Sequence, residues 1–220
     1  MTLGSFLHED LATLTNTSTD DERESTSATM TRNLNLIERS SSKMLHLLEN
    51  LLDVNAIERG AITFTNERFD AVAVLQPLLD EYRTKAEQKR IILHTELPPQ
   101  LWIVADKQAF MQVLDNLVSN AVKYSPHGKN VLVRMKTSSE AIRVEVQDEG
   151  EGISPEDMQK LFGKFARLSA RPTGGEHSTG LGLSIVKKIV EAMNGKVWCE
   201  SEVGDGLPTG ATFIVELPQA

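Results

Sequence analysis

The stretch LDNLVSNAVKYSPHG at residues 114–128 sets two asparagines, Asn116 and Asn120, one helical turn apart, with Lys123 and Tyr124 a further turn on. Asparagine is a mediocre helix former because its amide competes with the backbone for hydrogen bonds, so two of them in a helix interior suggest a polar task. Phe110, Val113, Leu114, Leu117, Val118 and Ala121 follow the i, i+3, i+4 rule and form the core stripe of this helix. Asn116, Asn120 and Lys123 fall on an adjoining stripe, at the rim of whatever that face covers. An amide oxygen there suits a magnesium shell, since Mg2+ prefers hard oxygen ligands and keeps waters and substrate phosphates. Lys123 has the reach for a phosphate. Taken alone, the pattern also fits two amides on a solvated flank.

Two later segments bear on the choice. VQDEGEGISPEDMQKLF ends a strand at Asp148, continues through Gly150 and Gly152, and starts a helix with Ser154 as N-cap, Pro155 as first helical residue and Asp157 closing a capping box. Glycines at this spacing permit positive φ and let a flat ligand lie close to the backbone. A buried carboxylate beside them can accept a hydrogen bond from an exocyclic amine such as that of adenine, although a plain strand-to-helix turn also uses glycine. In GGEHSTGLGLSIVKKIVEAMNG, Gly174, Gly175 and Gly180 flank a short stretch, and Gly180 and Gly182 open a helix. A helix start offers free N–H groups and a positive dipole end to an anion. The Walker spacing is absent, because no GKS or GKT follows.

The elements that must position these residues can be read from periodicity. Residues 30–58 place Met30, Leu34, Ile37, Ser41, Met44, Leu48 and Leu51 on a heptad seam, and Leu3, Leu7, Leu11 and Leu14 keep the same rhythm upstream. TNTSTDDEREST between them offers only turn formers and charges, so residues 1–60 read as an antiparallel helical hairpin. One hairpin cannot cover both seams; a second copy closing a dimeric four-helix bundle does so, and packing against the rest of this chain is the alternative. From residue 61 to 220 short strands and helices alternate: AITF, a helix near 70–89 with Pro77 kinking it or delaying its start, IILHTEL, LWIVA, a helix at 106–124, NVLVRMKT, AIRVEVQD, helices near 155–161 and 180–194, KVWCES and ATFIVELP. The fold class is therefore α+β, the hairpin being followed by an α/β sandwich with a mostly antiparallel sheet.

Composition narrows the function classes. With 220 residues and 40% hydrophobic side chains the chain can build two modest cores. A net charge of −8 opposes the counterion release on which nucleic-acid binding depends. Residues 1–65 carry twice as many acidic as basic side chains, which reads as a solvated helical surface. The single Cys199 excludes an internal disulfide framework and a cysteine-built zinc site, which fits the cytoplasm, and its plain reading is an inert core thiol. No apolar run approaches the roughly 20 residues that span a bilayer, so membrane attachment would come only through parts of a longer parent protein. His46, His94, His127 and His177 show no metal-ligand spacing and read as surface or packing residues.

Taken in this order, the segments resemble the histidine kinase and related ATPase superfamily, which also includes gyrase, heat-shock chaperone and mismatch-repair ATPases. The opening stretch is similar to its asparagine box, DEGEG to its first glycine box, LFGKFAR to its phenylalanine box and STGLGLSIV to its second glycine box. The hairpin resembles the dimerisation and phosphotransfer domain of sensor histidine kinases, with LLDVNAIERG similar to the end of its second helix. The resemblance implies that Asn120 coordinates Mg2+, that Asn116 lines the phosphate site, and that Lys123 and Tyr124 lie near the nucleotide. It implies that Asp148 binds the adenine amine in a pocket shaped by Gly150, Gly152 and Ile153, and that Phe162 and Phe165 anchor the nucleotide lid. Arg167 would approach the γ-phosphate, and Thr179, Gly180, Leu181, Gly182 and Leu183 would contact the phosphates. Asn116, Lys123 and Arg167 are the implied catalytic residues. ATP and Mg2+ are the implied cofactors, and a second copy and a response-regulator receiver domain the implied partners. The rival reading is a noncatalytic ATP-binding dimeric scaffold that docks a partner.

Three departures from the family pattern matter. VGDGLPTGATF stretches the third glycine box over Gly204, Gly206 and Gly210, Ala166 stands where a larger residue is common, and the phosphoacceptor is ambiguous. HEDLATL supplies His8 as acceptor with Glu9 as base, but that register puts Asp10 at a core position and lacks the family's proline. The register that fits better sets TLGSFL just after the missing proline, with Leu3 and Phe6 in the core. It places the acceptor upstream of Met1, and such a chain would bind Mg-ATP without efficient autophosphorylation.

Overall fold

The computed structural model describes residues 27–38, 40, 41, 44, 64–138, 141–166, 168–174, 180–202 and 210–219. The chain divides into two units, Met1–Leu51 and Leu52–Ala220. In the first, α1 (27–38) is helical, as are residues 40, 41 and 44. Along the expected seam Met30 and Ile37 are half-buried, whereas Leu34 is 50% and Met44 65% exposed. The upstream helix, the turn, and Leu48 and Leu51 of the seam lie outside the described residues.

Among the described residues of the second unit the first strand belongs to a two-stranded antiparallel ribbon, β1 (Asn66–Asp70) against β3 (Trp102–Asp106). Each strand ends in an aspartate that starts a helix. Asp70 accepts the N–H of Val72 at 3.0 Å and caps α2 (Ala71–Gln88). Asp106 accepts the N–H of Ala109 at 2.9 Å and caps α3 (Lys107–Tyr124). A side-chain oxygen that satisfies an otherwise orphaned N–H of the first turn contributes about 1 kcal/mol, so the ribbon fixes where both helices begin. Pro77 does not delay α2, which runs through it. Ala73, whose carbonyl loses its donor to the proline ring, is exposed to water, as is Pro77 itself. Of the strand expected at AITF only Phe64 is among the described residues; it and Thr65 are irregular, and the Thr65 N–H bonds Asp106 Oδ2.

The main sheet has the order β2-β4-β5-β7-β6, with β2 (Ile92–Glu96), β4 (Asn130–Thr137), β5 (Ala141–Asp148), β6 (Lys196–Glu202) and β7 (Gly210–Pro218). β2 pairs parallel to β4 and the other three pairings are antiparallel, so the sheet is mixed. α2, α3 and α5 (Gly182–Ala192) pack on the sheet, and their apolar stripes meet the inward residues Val131, Val133, Val144, Val146 and Val215 in one core. Phe110, Leu114, Leu117 and Ile185 are fully buried in it. Two helices come out shorter than expected: α4 is only Pro155–Met158, and α5 begins at Gly182 rather than residue 180.

Candidate functional site

Strand parity puts Ile142, Val144, Val146 and Asp148 on the inward row of β5, so the last position of a core-facing row is a carboxylate. Asp148 is buried, and removal from water pushes its carboxyl up to about 6. Two backbone donors partly offset that shift, Gly150 N–H at 2.8 Å and Ala211 N–H at 3.3 Å. Both end on Oδ1, which leaves Oδ2 without a hydrogen bond among the described residues.

Glycines let the surrounding segments close in. A Cβ at Gly150 would stand 2.8 Å from Asp148 Oδ1 and 3.1 Å from the Tyr124 carbonyl, so this glycine brings the end of α3 against the loop after β5. Gly152 continues that loop at φ +77°, where L side chains are strained. A Cβ at Gly182 would sit 2.5 Å from Asn116 Oδ1, so the start of α5 lies against that amide. The Asn116 Nδ2 donates to the Gln112 carbonyl at 2.8 Å, which fixes the amide whose oxygen faces Gly182. The N-cap of α5 is Leu181, which offers no side-chain hydrogen bond to the first turn, the end of a helix at which an anion is favoured. Leu181 is buried, Leu183 packs against the core, and Gly180 has φ +71°. Asn120, one turn beyond Asn116, is half-buried, and its side chain makes no hydrogen bond among the described residues.

The end of α3 is held from two sides. Lys89, itself buried, donates to the Val122 and Lys123 carbonyls at 2.7 and 3.1 Å. Thr173 donates its N–H to the Lys123 carbonyl at 3.1 Å and its hydroxyl to the Ser125 carbonyl at 2.7 Å. The segment after α4 is thereby tied to the helix that carries Lys123 and Tyr124. Its other tie is Asp157, which is not the reciprocal half of a capping box: Ser154 accepts the Asp157 N–H at 3.1 Å, while the Asp157 carboxylate takes the N–H and hydroxyl of Ser169 at 2.8 and 2.5 Å. The two phenylalanines differ, Phe162 packing against the core and Phe165 standing 59% exposed at φ +55°.

The sequence-derived residues Asn116, Asn120, Lys123, Tyr124, Asp148, Gly150, Gly152, Ile153, Leu181, Gly182 and Leu183 thus belong to three segments that meet at Gly150, against the Tyr124 carbonyl, and at Gly182, against the Asn116 side chain. Gly180 lies against the segment that follows α4, since a Cβ at Gly180 would be 3.0 Å from the Phe165 Cα, while Phe162 of that segment packs against the core. His8, Arg167 and Thr179 lie outside the described residues, as do His46, His177 and Gly175.

Three features escaped the sequence reading. The Ala211 N–H reaches Asp148 from the stretched third glycine segment, whose Gly210 packs on the Asp148 carbonyl. Glu149 accepts the backbone and side-chain N–H groups of Asn130 at 2.9 and 3.1 Å, and the Asn130 amide oxygen lies 3.1 Å from His94 Nε2. Ser201 bonds both Ile153 and Gly210. Alternation in β6 carried a signal for the last, since it turns Ser201 to the same side as Val197 and Cys199, which pack on the core. Cys199 is a half-buried thiol pushed up to about 12 by burial and by the nearby Asp148 and Glu200 charges, which suits an inert core residue. A cleft of about 350 Å3 over His94, Glu96, Asn130, Leu132, Gln147 and Glu149 contains none of the expected site residues.

Among the described residues there is no group of three or more His, Cys, Asp or Glu able to hold a metal, and no helix long and apolar enough to cross a membrane. Magnesium bound through one amide oxygen, waters and phosphates needs no such group, and the unengaged amide of Asn120 fits that donor set.

Comparison with known proteins places these features. The family model described as histidine kinase-, DNA gyrase B-, and HSP90-like ATPase matches residues 105–220. The sensor histidine kinase WalK of Bacillus subtilis (strain 168) is 31% identical over 186 residues, 84% of this chain and 30% of that protein. The chain therefore spans under a third of the length of that relative. Among solved structures, the mycobacterial sensor histidine kinase MprB superposes with a TM-score of 0.62 at 25% identity, covering 70% of this chain and 98% of the other. The catalytic domain of histidine kinase ThkA, in a nucleotide-free form, gives 0.61 at 28% identity, covering 72% and 99%.

Proposed function

The chain belongs to the histidine kinase-, DNA gyrase B- and HSP90-like ATPase family, and from that membership we propose that it is the kinase core of a two-component sensor. It binds Mg-ATP, transfers the γ-phosphoryl group to a histidine imidazole, and passes it to an aspartate on a response-regulator receiver domain. The observation that supports this most directly is Asp148, a buried carboxylate with one oxygen held by two backbone N–H groups and the other left for a ligand amine. Adenine is a ligand that offers such an amine on a flat ring, and Gly150 and Gly152 leave room for the ring against the backbone.

The triphosphate would then run toward Asn116 and the uncapped start of α5, where Gly180, Leu181, Gly182 and Leu183 supply backbone N–H groups. Asn120 would hold Mg2+ with one oxygen, and the ion would add charge neutralisation on the phosphates. Lys123 and Arg167 bring further positive charge to the γ-phosphate. In the transfer an imidazole nitrogen forms a bond to the γ-phosphorus as the bond to the bridging oxygen breaks, ADP leaves, and Glu9 takes the imidazole proton when His8 is the acceptor. Positioning and charge stabilisation suffice for this chemistry. Residues 1–60 serve as the dimerisation and phosphotransfer hairpin and residues 61–220 as the ATP-binding domain.

Titration calorimetry with Mg-ATP, followed by incubation with γ-labelled ATP and an acid-lability assay, tests the reading. Binding of Mg-ATP with slow labelling is expected. Strong acid-labile labelling that disappears in His8→Gln would make His8 the acceptor, and absence of ATP binding would overturn the proposal.

A further inference from the structure

We infer that Ser201 is the positioning residue of the base pocket, a hydroxyl that holds two separate glycine segments at the spacing Asp148 needs to meet an adenine; this rests on the nucleotide reading above. Ser201 Oγ accepts the N–H of Ile153 at 2.9 Å and donates to the Gly210 carbonyl at 2.6 Å. Those two groups belong to the first and third glycine segments, which also meet at Asp148 through Ala211 and Gly210. Asp148, Ala211 and Ser201 form one row across the sheet, because Asp148 pairs with Ala211 and Ala211 with Ser201. Ala211 N–H bonds Asp148 Oδ1, and a Cβ on Gly210 would run into the Asp148 carbonyl. Gly210 is thus pinned between Asp148 on one side and Ser201 on the other.

The loop that leaves Asp148 gains from the same hydroxyl. Its near end is fixed by the Gly150 N–H on Asp148 and by Glu149 on Asn130. Its middle passes through Gly152 at φ +77°, a residue with no side chain to anchor it. The far end, Ile153, is fixed by Ser201. A backbone surface on which a flat ring is to lie binds best when it is ordered before the ring arrives, since any ordering cost is subtracted from affinity. Alanine at position 201 would keep the strand and its packing but leave the Ile153 N–H and the Gly210 carbonyl without this partner.

The test compares wild type, Ser201→Ala and Ser201→Thr in the full chain, measuring dissociation constants for Mg-ATP and Mg-GTP by calorimetry and amide hydrogen exchange at residues 150–153 without ligand. Ser201→Ala should weaken ATP roughly tenfold, the scale of one unmade buried hydrogen bond, while GTP changes by less than about twofold, so base preference narrows. Exchange at Ile153 should accelerate, and Ser201→Thr, which keeps the hydroxyl, should stay within about twofold of wild type. Ser201→Ala that binds ATP with wild-type affinity and preference would overturn the inference even if its melting temperature falls, and so would an equal loss for ATP and GTP. A wild-type chain that binds neither nucleotide would instead overturn the nucleotide reading, and the inference with it.

Discussion

Asp148 carries opposite consequences for binding and for stability. Its carboxyl is the stronger acceptor for an amine when ionised, and burial raises its pKa to about 6. Affinity for ATP should therefore fall as pH drops through 6, by up to about tenfold per unit from this group. Asp148→Asn should weaken ATP by one charge-assisted hydrogen bond, about 1.5 to 3 kcal/mol, and should lose that component of the pH profile. Calorimetric titrations of both proteins between pH 5 and 8 check the pair of outcomes. Stability runs the other way: the folded state holds the Asp148 proton more tightly than the unfolded chain does. The group's contribution is therefore largest below the ordinary 3.8 and declines as pH rises toward and through about 6. At Asn120 the expected signature is metal dependence. Asn120→Ala should reduce ATP affinity in Mg2+ more than in EDTA, because only the former uses the amide oxygen.

The contact between α3 and α5 joins the amide stripe to the phosphate loop, and Gly182 is where they meet. Gly182→Ala would place a methyl group 2.5 Å from Asn116 Oδ1, too close for either to stay. It should slow phosphoryl transfer and weaken ATP about tenfold or more, whereas the global fold, read by denaturant midpoint, should change by no more than about 1 kcal/mol. Tyr82→Phe probes a different case, a contact between α2 and α3 that includes no residue of the glycine segments. The buried Tyr82 hydroxyl donates to Asp115 at 2.8 Å, and burial raises its pKa, so it remains a donor at neutral pH. Its removal should cost about 1 to 2 kcal/mol in urea unfolding and leave the ATP dissociation constant unchanged.

At the scale of the whole chain, the prediction concerns association. Leu34 and Met44 of the heptad seam are exposed in a single chain, and an apolar seam of that kind is covered in a four-helix bundle by a second copy. Sedimentation velocity should show a dimer for residues 1–220 and a monomer for residues 66–220. A monomeric full chain would remove the bundle from the proposal.

The amino-acid sequence by itself determined the pieces. The 3.6-residue stripe from Phe110 to Ala121 and the aspartate before it delimit α3, and alternation delimits β4 and β5, because those signals act within a few residues of one another. The order of asparagines and glycines likewise marked the three segments that meet at the candidate site. The tertiary structure alone decided which residues complete that site. Asp157 turns to Ser169 instead of closing its own capping box, and β2 runs parallel to β4 although its own sequence carries no mark of direction. Ala211 and Ser201 come to Asp148 through the register of β5, β7 and β6, in which a slip of one residue would turn every side chain of a strand to the other face. Such register is settled by the burial of whole rows of side chains across the sheet, so no short window of sequence contains it.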